Sequence, residues 1–356
     1  MIRYAVVGAG WIAQEAFMPA VAATGNSRMQ AIVSGNANGA QRLADFYDIP
    51  EVLDYADYDA LLASDRIDAV YIALPNDLHA DYTIRALKAG KHVMVEKPLA
   101  TTVAEGEAMI AAAAASGAFL MTAYRLHTEP ATHAMLDVVR SGRIGDPVHV
   151  AATFGFQTQT GNHRLKAGHW GGPLPDVGVY CLNATRNIFA AEPISVQAMS
   201  ARPTGDRRFT EIDASLAVTL RFPGERLAQF FCSFGSGTSE SIRVIGATGE
   251  LILDPAFKFD STLRMTVRND GSEEITTFAP VDHFAGQIAY FSDCIRSGIR
   301  PVADGEEGLA DMLALLAIED AVRTGATVSL PPRQHRAGIG NDMKRSFGRT
   351  TRRLLL

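Results

Sequence analysis

The hydrophobic positions of this 356-residue chain fall into two textures. Up to about Ala123, short unbroken apolar runs alternate with helix-like stretches. Residues 4–7, 29–33, 68–75, 92–95 and 119–123 read as buried strands. Unbroken runs are what strands need when helices cover both faces of a sheet. Thr102 with Glu105 makes a capping-box pattern ahead of an alanine-rich helix ending at Gly117, and Asp77 is a cap candidate for a helix that stops at Gly90. The alternation predicts a doubly wound parallel α/β sheet over residues 1–123.

From Tyr124 the pattern changes. Helical spacing covers about 129–139 and about 176–189. Short β-type runs follow at 216–222, 227–231, 242–245, 251–253, 263–267 and 275–278. Leu216, Val218, Leu220 and Phe222 alternate with Ala217, Thr219 and Arg221, so one face of that strand is covered. Residues 124–332 therefore read as an α+β domain with a large, mostly antiparallel open sheet. Its uncovered face is either a solvated face or a natural self-association surface, and the second reading predicts a homo-oligomer, dimer or tetramer. Asp304 and Glu307 are expected to cap a last helix, about 306–324, ended by Gly325. Pro331-Pro332 is expected to end the compact structure, leaving 333–356 as a basic, partly disordered tail.

Composition narrows the function classes. The net charge is −6, but the tail holds seven Lys/Arg and one acid, which leaves a body near −12. An acidic body argues against nucleic acid. No apolar run reaches the roughly 18 residues of a membrane span, and no secretory pattern precedes Tyr4, so a cytoplasmic location is expected. The three cysteines lack metal or disulfide spacing, and no H-E-x-x-H pattern occurs, so no metal is expected.

The first apolar run leads into G-x-G-x-x-A, formed by Gly8, Gly10 and Ala13. Gly8 permits the turn out of the strand. Gly10, without a Cβ, lets a pyrophosphate approach the backbone, with Trp11 and Ile12 opening the helix that faces it. This is the Rossmann dinucleotide pattern. After the second strand, Ser34-Gly35-Asn36 stands where an acid often holds a ribose hydroxyl. Without a carboxylate to repel a 2′-phosphate, NADP is favoured over NAD, with Arg42 as a phosphate candidate; a plain turn is the alternative for Ser-Gly-Asn. Leu74, Pro75, Asn76, His79, Glu96, Lys97, Tyr124, Arg125 and His127 cluster at later strand ends, where ligands of such sheets bind.

Three residues carry the candidate chemistry. Lys97 lies between Glu96 and Pro98 on a strand-end turn. Asp176 follows Gly171-Gly172-Pro173 and opens a helix, where an N-cap is its alternative role, and Tyr180 lies four residues on, on the same helical face. Oxidation of an alcohol needs a proton acceptor. A tyrosine with pKa ~10 becomes one only beside an ammonium or a helix N-terminus. Arg164 and Trp170, in the loop before Gly171, are added as substrate-side candidates.

These residues resemble the Gfo/Idh/MocA oxidoreductases over about residues 2–332. The resemblance rests on G-A-G-W-I-A, L-P-N-x-x-H from Leu74, A-G-K-H-V-M-V-E-K-P from Ala89, Y-R-L-H from Tyr124 and G-G-P-L-P-D-V-G-V-Y from Gly171. V-S-G-N-A from Val33 and D-V-G-V-Y-C-L-N-A-T-R from Asp176 look most like the glucose–fructose oxidoreductase and aldose oxidoreductase branch. That resemblance implies tightly held NADP(H) and oxidation of a cyclic sugar at its anomeric carbon to a lactone. It implies Lys97 as the catalytic lysine, Tyr180 at the branch's tyrosine position and Asp176 as the substrate-binding aspartate. Arg125 and His127 match the strand-end pair near cofactor and sugar. The branch's lysine near Gly39 is missing here. Two other readings stand beside it: a reductase of a keto or dicarbonyl sugar such as 1,5-anhydrofructose, which uses the same residues in the opposite direction, and a non-catalytic NADP-binding sensor, against which the presence of both Lys97 and Tyr180 argues.

Overall fold

The computed structural model describes every residue except Ala337. The first third of the chain runs β1 (Ile2–Val7), α1 (Met18–Val21), β2 (Ser27–Val33), α2 (Ala37–Tyr47), β3 (Glu51–Leu53), α3 (Tyr58–Leu62), β4 (Ala69–Ile72), α4 (His79–Lys88), β5 (His92–Val95), α5 (Val103–Ser116) and β6 (Leu120–Thr122). Next come α6 (Pro130–Arg140), β7 (Pro147–Gln157), α7 (Val179–Phe189), β8 (Ser195–Ala201), β9 (Ser215–Phe222), β10 (Arg226–Ser233), β11 (Gly235–Gly246) and β12 (Gly249–Leu253). The chain closes with β13 (Leu263–Asn269), β14 (Ser272–Phe278), α8 (His283–Ser297), α9 (Gly305–Thr324) and β15 (Val328–Ser329).

Two compact units result. The first holds Met1–Glu129, Val281–Leu309 and Asp342–Leu356. Its six strands lie in the order β3-β2-β1-β4-β5-β6, and every pairing is parallel. The order turns back between β1 and β4, which places a crevice at their carboxyl ends. Tyr4, Ala5, Val6, Val7, Val70, Tyr71 and Ile72 have no exposed surface, as strands covered on both faces require. The ring of Phe17 stacks on that of Tyr71, with centroids 3.8 Å apart, and meets Tyr4 edge-on.

The second unit holds Pro130–Pro280 and Ala310–Asn341. Its nine strands run β14-β13-β12-β11-β7-β10-β9-β8-β15, and only β7 with β10 is parallel. The alternation expected in β9 is present: Leu216, Val218, Leu220 and Phe222 are buried, while Ala217 and Arg221 are exposed. On the opposite face, Met199 (78% exposed), Ala217, Phe231 and Thr153 form a continuous cross-strand row.

Several local expectations change. Asp77 does not cap α4: a 3-10 turn, Asn76–Leu78, precedes the helix, and its N-cap residue is Leu78. Asp176 is no N-cap either, because a π-turn, Leu174–Gly178, starts before it and leads into α7. The division at residue 123 also takes another form, since α8 and the last fifteen residues return to the first unit. Compact structure does not end at Pro332. Ile339 and Met343 are buried, and His335 Nδ1 lies 2.9 Å from Glu192 Oε1, so apolar and polar anchors hold this stretch. The capping box does form: Glu105 N–H donates to Thr102 Oγ1, and Thr102 N–H donates to Glu105 Oε2.

Candidate active site

Four adjacent parallel strands deliver most of the first unit's candidates to one edge of the sheet. β1 ends at the glycine loop, β4 at Leu74–His79, β5 at Glu96–Pro98 and β6 at Tyr124–Arg125. At Gly8, φ is +93°, and a Cβ would stand 2.6 Å from the Ala73 carbonyl oxygen. That position demands glycine. At Gly10 a Cβ would meet nothing within 4 Å, so this stretch of backbone is open to a ligand. Trp11 is 53% exposed, and Ile12 is half-buried. A closed turn beside an open one, at the switch point of the strand order, is a cradle that fits a dinucleotide pyrophosphate.

Beyond β2, Ser34 Oγ accepts from the Asn36 N–H at 3.2 Å, and Asn36 Oδ1 accepts from the Gly39 N–H at 3.0 Å, capping α2. These two side chains thus also build the turn. Gly35 and Asn36 are exposed, and so is Arg42, one turn into α2.

The β4 and β5 loops are tied together by His79, which has no exposed surface. Its Nδ1 is 2.8 Å from the Pro98 carbonyl and its Nε2 is 3.0 Å from that of Leu74. Burial holds this imidazole below the ordinary histidine range. His79 therefore positions the loops that present Asn76 and Lys97. Tyr71 donates its hydroxyl proton to Glu96 Oε1. Burial pushes the Glu96 carboxyl up, and the Lys97 ammonium opposes that most strongly. Arg125 is only 4% exposed, and its Nη1 donates to His283 Nδ1 at 2.8 Å. Burial, then Arg125, push His283 well below the ordinary histidine range, consistent with a neutral ring accepting that bond. His127 is buried, and its ring stacks on Tyr124.

The remaining candidates belong to the second unit. Arg164 Nε lies 3.4 Å from Asp176 Oδ2. Gly171 packs against the backbone that carries Arg164, since a Cβ there would stand 2.4 Å from the Arg164 carbonyl oxygen. Tyr180 is half-buried, with its ring 5.5 Å from Phe154 and 6.0 Å from Phe257. Trp170 Nε1 donates to Glu319 Oε1 at 2.6 Å, and burial raises the Glu319 carboxyl. Among the described residues, no His/Cys/Asp/Glu group has the arrangement of a metal site.

Residues 2–124 match the oxidoreductase family with an NAD-binding Rossmann fold, and residues 132–252 match the GFO/IDH/MocA C-terminal domain. The chain belongs to the GFO/IDH/MocA oxidoreductase family. It is 31% identical to a D-xylose 1-dehydrogenase [NADP(+)] of Haloarcula marismortui, covering 92% of this chain and 93% of that protein. It is 33% identical to D-xylose 1-dehydrogenase (NADP(+)) 2 of Haloferax volcanii, covering 92% and 100%. Among solved structures, an aldose-aldose oxidoreductase of Caulobacter crescentus complexed with glycerol is 34% identical, with a TM-score of 0.88 over 92% of this chain and 99% of that one. These likenesses bear out the expected family and the two-part α/β fold.

Sequence reasoning missed the supporting partners. His283 behind Arg125, Glu319 behind Trp170 and Tyr71 behind Glu96 are each distant in sequence or on another element, so no local spacing marks them.

Proposed function

We propose that this protein is an NADP-dependent sugar oxidoreductase that oxidises a cyclic aldose at its anomeric carbon to the lactone, with the hydride passed on to a second sugar on a retained cofactor. The observation that carries this reading is that the open backbone at Gly10 and the Lys97 turn both follow the carboxyl ends of strands in one parallel 3-2-1-4-5-6 sheet. Support comes from the relatives, which are named as NADP(+)-linked xylose 1-dehydrogenases and an aldose-aldose oxidoreductase.

When bound, the nicotinamide supplies the hydride acceptor. Gly8, Gly10, Trp11 and Ile12 hold the pyrophosphate, and Ser34, Gly35, Asn36 and Arg42 receive the adenosine 2′-phosphate. Leu74, Pro75, Asn76 and Glu96 line the cradle, and His79 sets its shape. Lys97 binds the reacting sugar oxygen, and Tyr180 takes its proton as the C–H bond breaks. Asp176 binds a neighbouring hydroxyl, with Arg164 beside it. Arg125, His127 and Trp170 complete the substrate side. We also propose that the exposed row containing Met199 and Phe231 pairs two copies of the chain. It borders a groove of ≈ 630 Å³.

The test is to denature the purified protein, identify any nucleotide it releases, and assay a panel of aldoses and ketoses with and without added cofactor. Released NADP, little turnover with free cofactor and transfer between sugars is the expected result. Bound NADP without turnover of any sugar would leave only a sensor.

A further inference from the structure

The basic carboxyl-terminal segment lies on the dinucleotide half, along a defined course. Arg345 N–H donates to the Thr128 carbonyl at 2.9 Å, just beyond Arg125. Asp282 N–H donates to the Phe347 carbonyl at 2.8 Å. Further on, the Arg352 guanidinium sits 5.1 Å over the Phe46 ring, and Leu354 N–H donates to Tyr47 Oη at 3.1 Å, both at the end of α2. Residues 353–356 then lie against the helical turn Ala13–Phe17 that leads into α1. There Arg353 pairs with Glu15, and Leu356 N–H donates to Gln14 Oε1 at 2.7 Å.

Gln14 links this segment to the glycine loop. Its Nε2 donates to the Ala9 carbonyl at 2.7 Å, and its side chain is buried. Ala9 C=O and Gly10 N–H share one planar trans peptide and point in opposite directions. Fixing that carbonyl therefore fixes the direction of the Gly10 N–H, at the place where the backbone is open. Charge acts in the same direction. Glu15 stands in the first turn after the loop, where a carboxylate repels a phosphate, and Arg353 neutralises it.

We propose that residues 350–356 are a strap of the dinucleotide site: through Gln14 they orient the Gly10 N–H, and through Arg353 they cancel Glu15, so cofactor affinity depends on a segment outside the cradle. Gln14 is then a positioning residue. This inference rests on the reading of the glycine loop as a dinucleotide site.

The test measures NADPH binding by calorimetry, without turnover, for the full chain, a chain ending at Arg349, and Gln14→Ala. Losing the bridge is expected to raise Kd up to ~10-fold in both variants, the scale of one well-placed hydrogen bond. In the truncated chain the loss should shrink as salt is raised, because repulsion from an unpaired Glu15 is screened. Adding Glu15→Gln to that chain should restore part of the affinity. Circular dichroism checks folding; if the truncated chain does not fold, Gln14→Ala decides alone. Wild-type Kd in Gln14→Ala, or in a folded truncated chain, overturns the strap. A full chain that binds no NADPH overturns the dinucleotide reading itself.

Discussion

Arg164 Nε lies 3.4 Å from Asp176 Oδ2, and both side chains keep some exposure, 29% and 15%. A partly solvated pair at this separation adds little to stability, on the order of 1 kcal/mol or less. Its consequence is positional: the π-turn fixes Asp176 and the loop packed on Gly171 fixes Arg164. Asp176→Asn keeps the shape and removes the charge. It should lower kcat/KM for sugar ~10²-fold or more, within the range for losing a hydrogen bond to a charged partner. Calorimetric Kd for NADPH should stay at the wild-type value; a variant that loses cofactor and sugar together would place Asp176 in the fold instead.

Lys97 and Tyr180 are assigned to the same proton. If so, Lys97→Met and Tyr180→Phe each reduce turnover by at least ~100-fold, the usual scale of acid–base help. The double variant should be little worse than either single one, because residues acting as a unit are not additive. Steady-state rates across the four proteins test this. Independent, multiplying losses would separate the two residues.

The two glycines of the loop should fail differently. In Gly8→Ala the new Cβ faces the Ala73 carbonyl at 2.6 Å with φ at +93°, so the fold takes the damage. A loss of ~2 kcal/mol or more is expected in urea unfolding. Gly10→Ala meets nothing within 4 Å, so unfolding should match the wild type while NADPH Kd rises at least ~10-fold, as an obstructed phosphate contact requires. Equal stability losses in both variants would mean that Gly10 is structural as well.

The contrast between the two halves explains what could be read from the chain beforehand. Strands covered on both faces announce themselves as apolar runs, so β1, β2, β4, β5 and β6 were legible, and Thr102 with Glu105 marked a helix start that the structure keeps. Short β3 is half-buried along its whole length and carries no such run. α8 is buried at every position from His283 to Ser292, so it lacks the polar stripe that gives a helix its period. Its return to the first unit supplies His283 to Arg125, a partner 158 residues away. Lys97, Asp176 and Tyr180 stand out as candidates because they sit in local motifs. The hydrogen bonds that hold Arg125 and Trp170 come from tertiary structure alone.

A buried charge cluster predicts an acid-sensitive second unit. Arg186 has no exposed surface; its Nε and Nη2 donate to Glu192 at 2.7 and 2.8 Å, and its Nη1 donates to Asp311 at 2.6 Å. Burial works to raise the Glu192 carboxyl, but Arg186 and His335 outweigh it and hold the pKa at about 2. A carboxyl depressed in the folded state stabilises it above the unfolded pKa of ~4.3, and that stability drains away as pH falls toward 2. The expected contribution is at most about 3 kcal/mol at neutral pH. Glu192→Gln should thus be less stable than wild type at pH 7, beyond the lost pair itself, because it leaves the buried Arg186 partly uncompensated. Its stability should also fall less steeply than that of the wild type between about pH 5 and 2. Urea midpoints of both proteins across that range give the comparison. Parallel curves would show that acid acts elsewhere and that the Glu192 carboxyl titrates alike in the folded and unfolded chain.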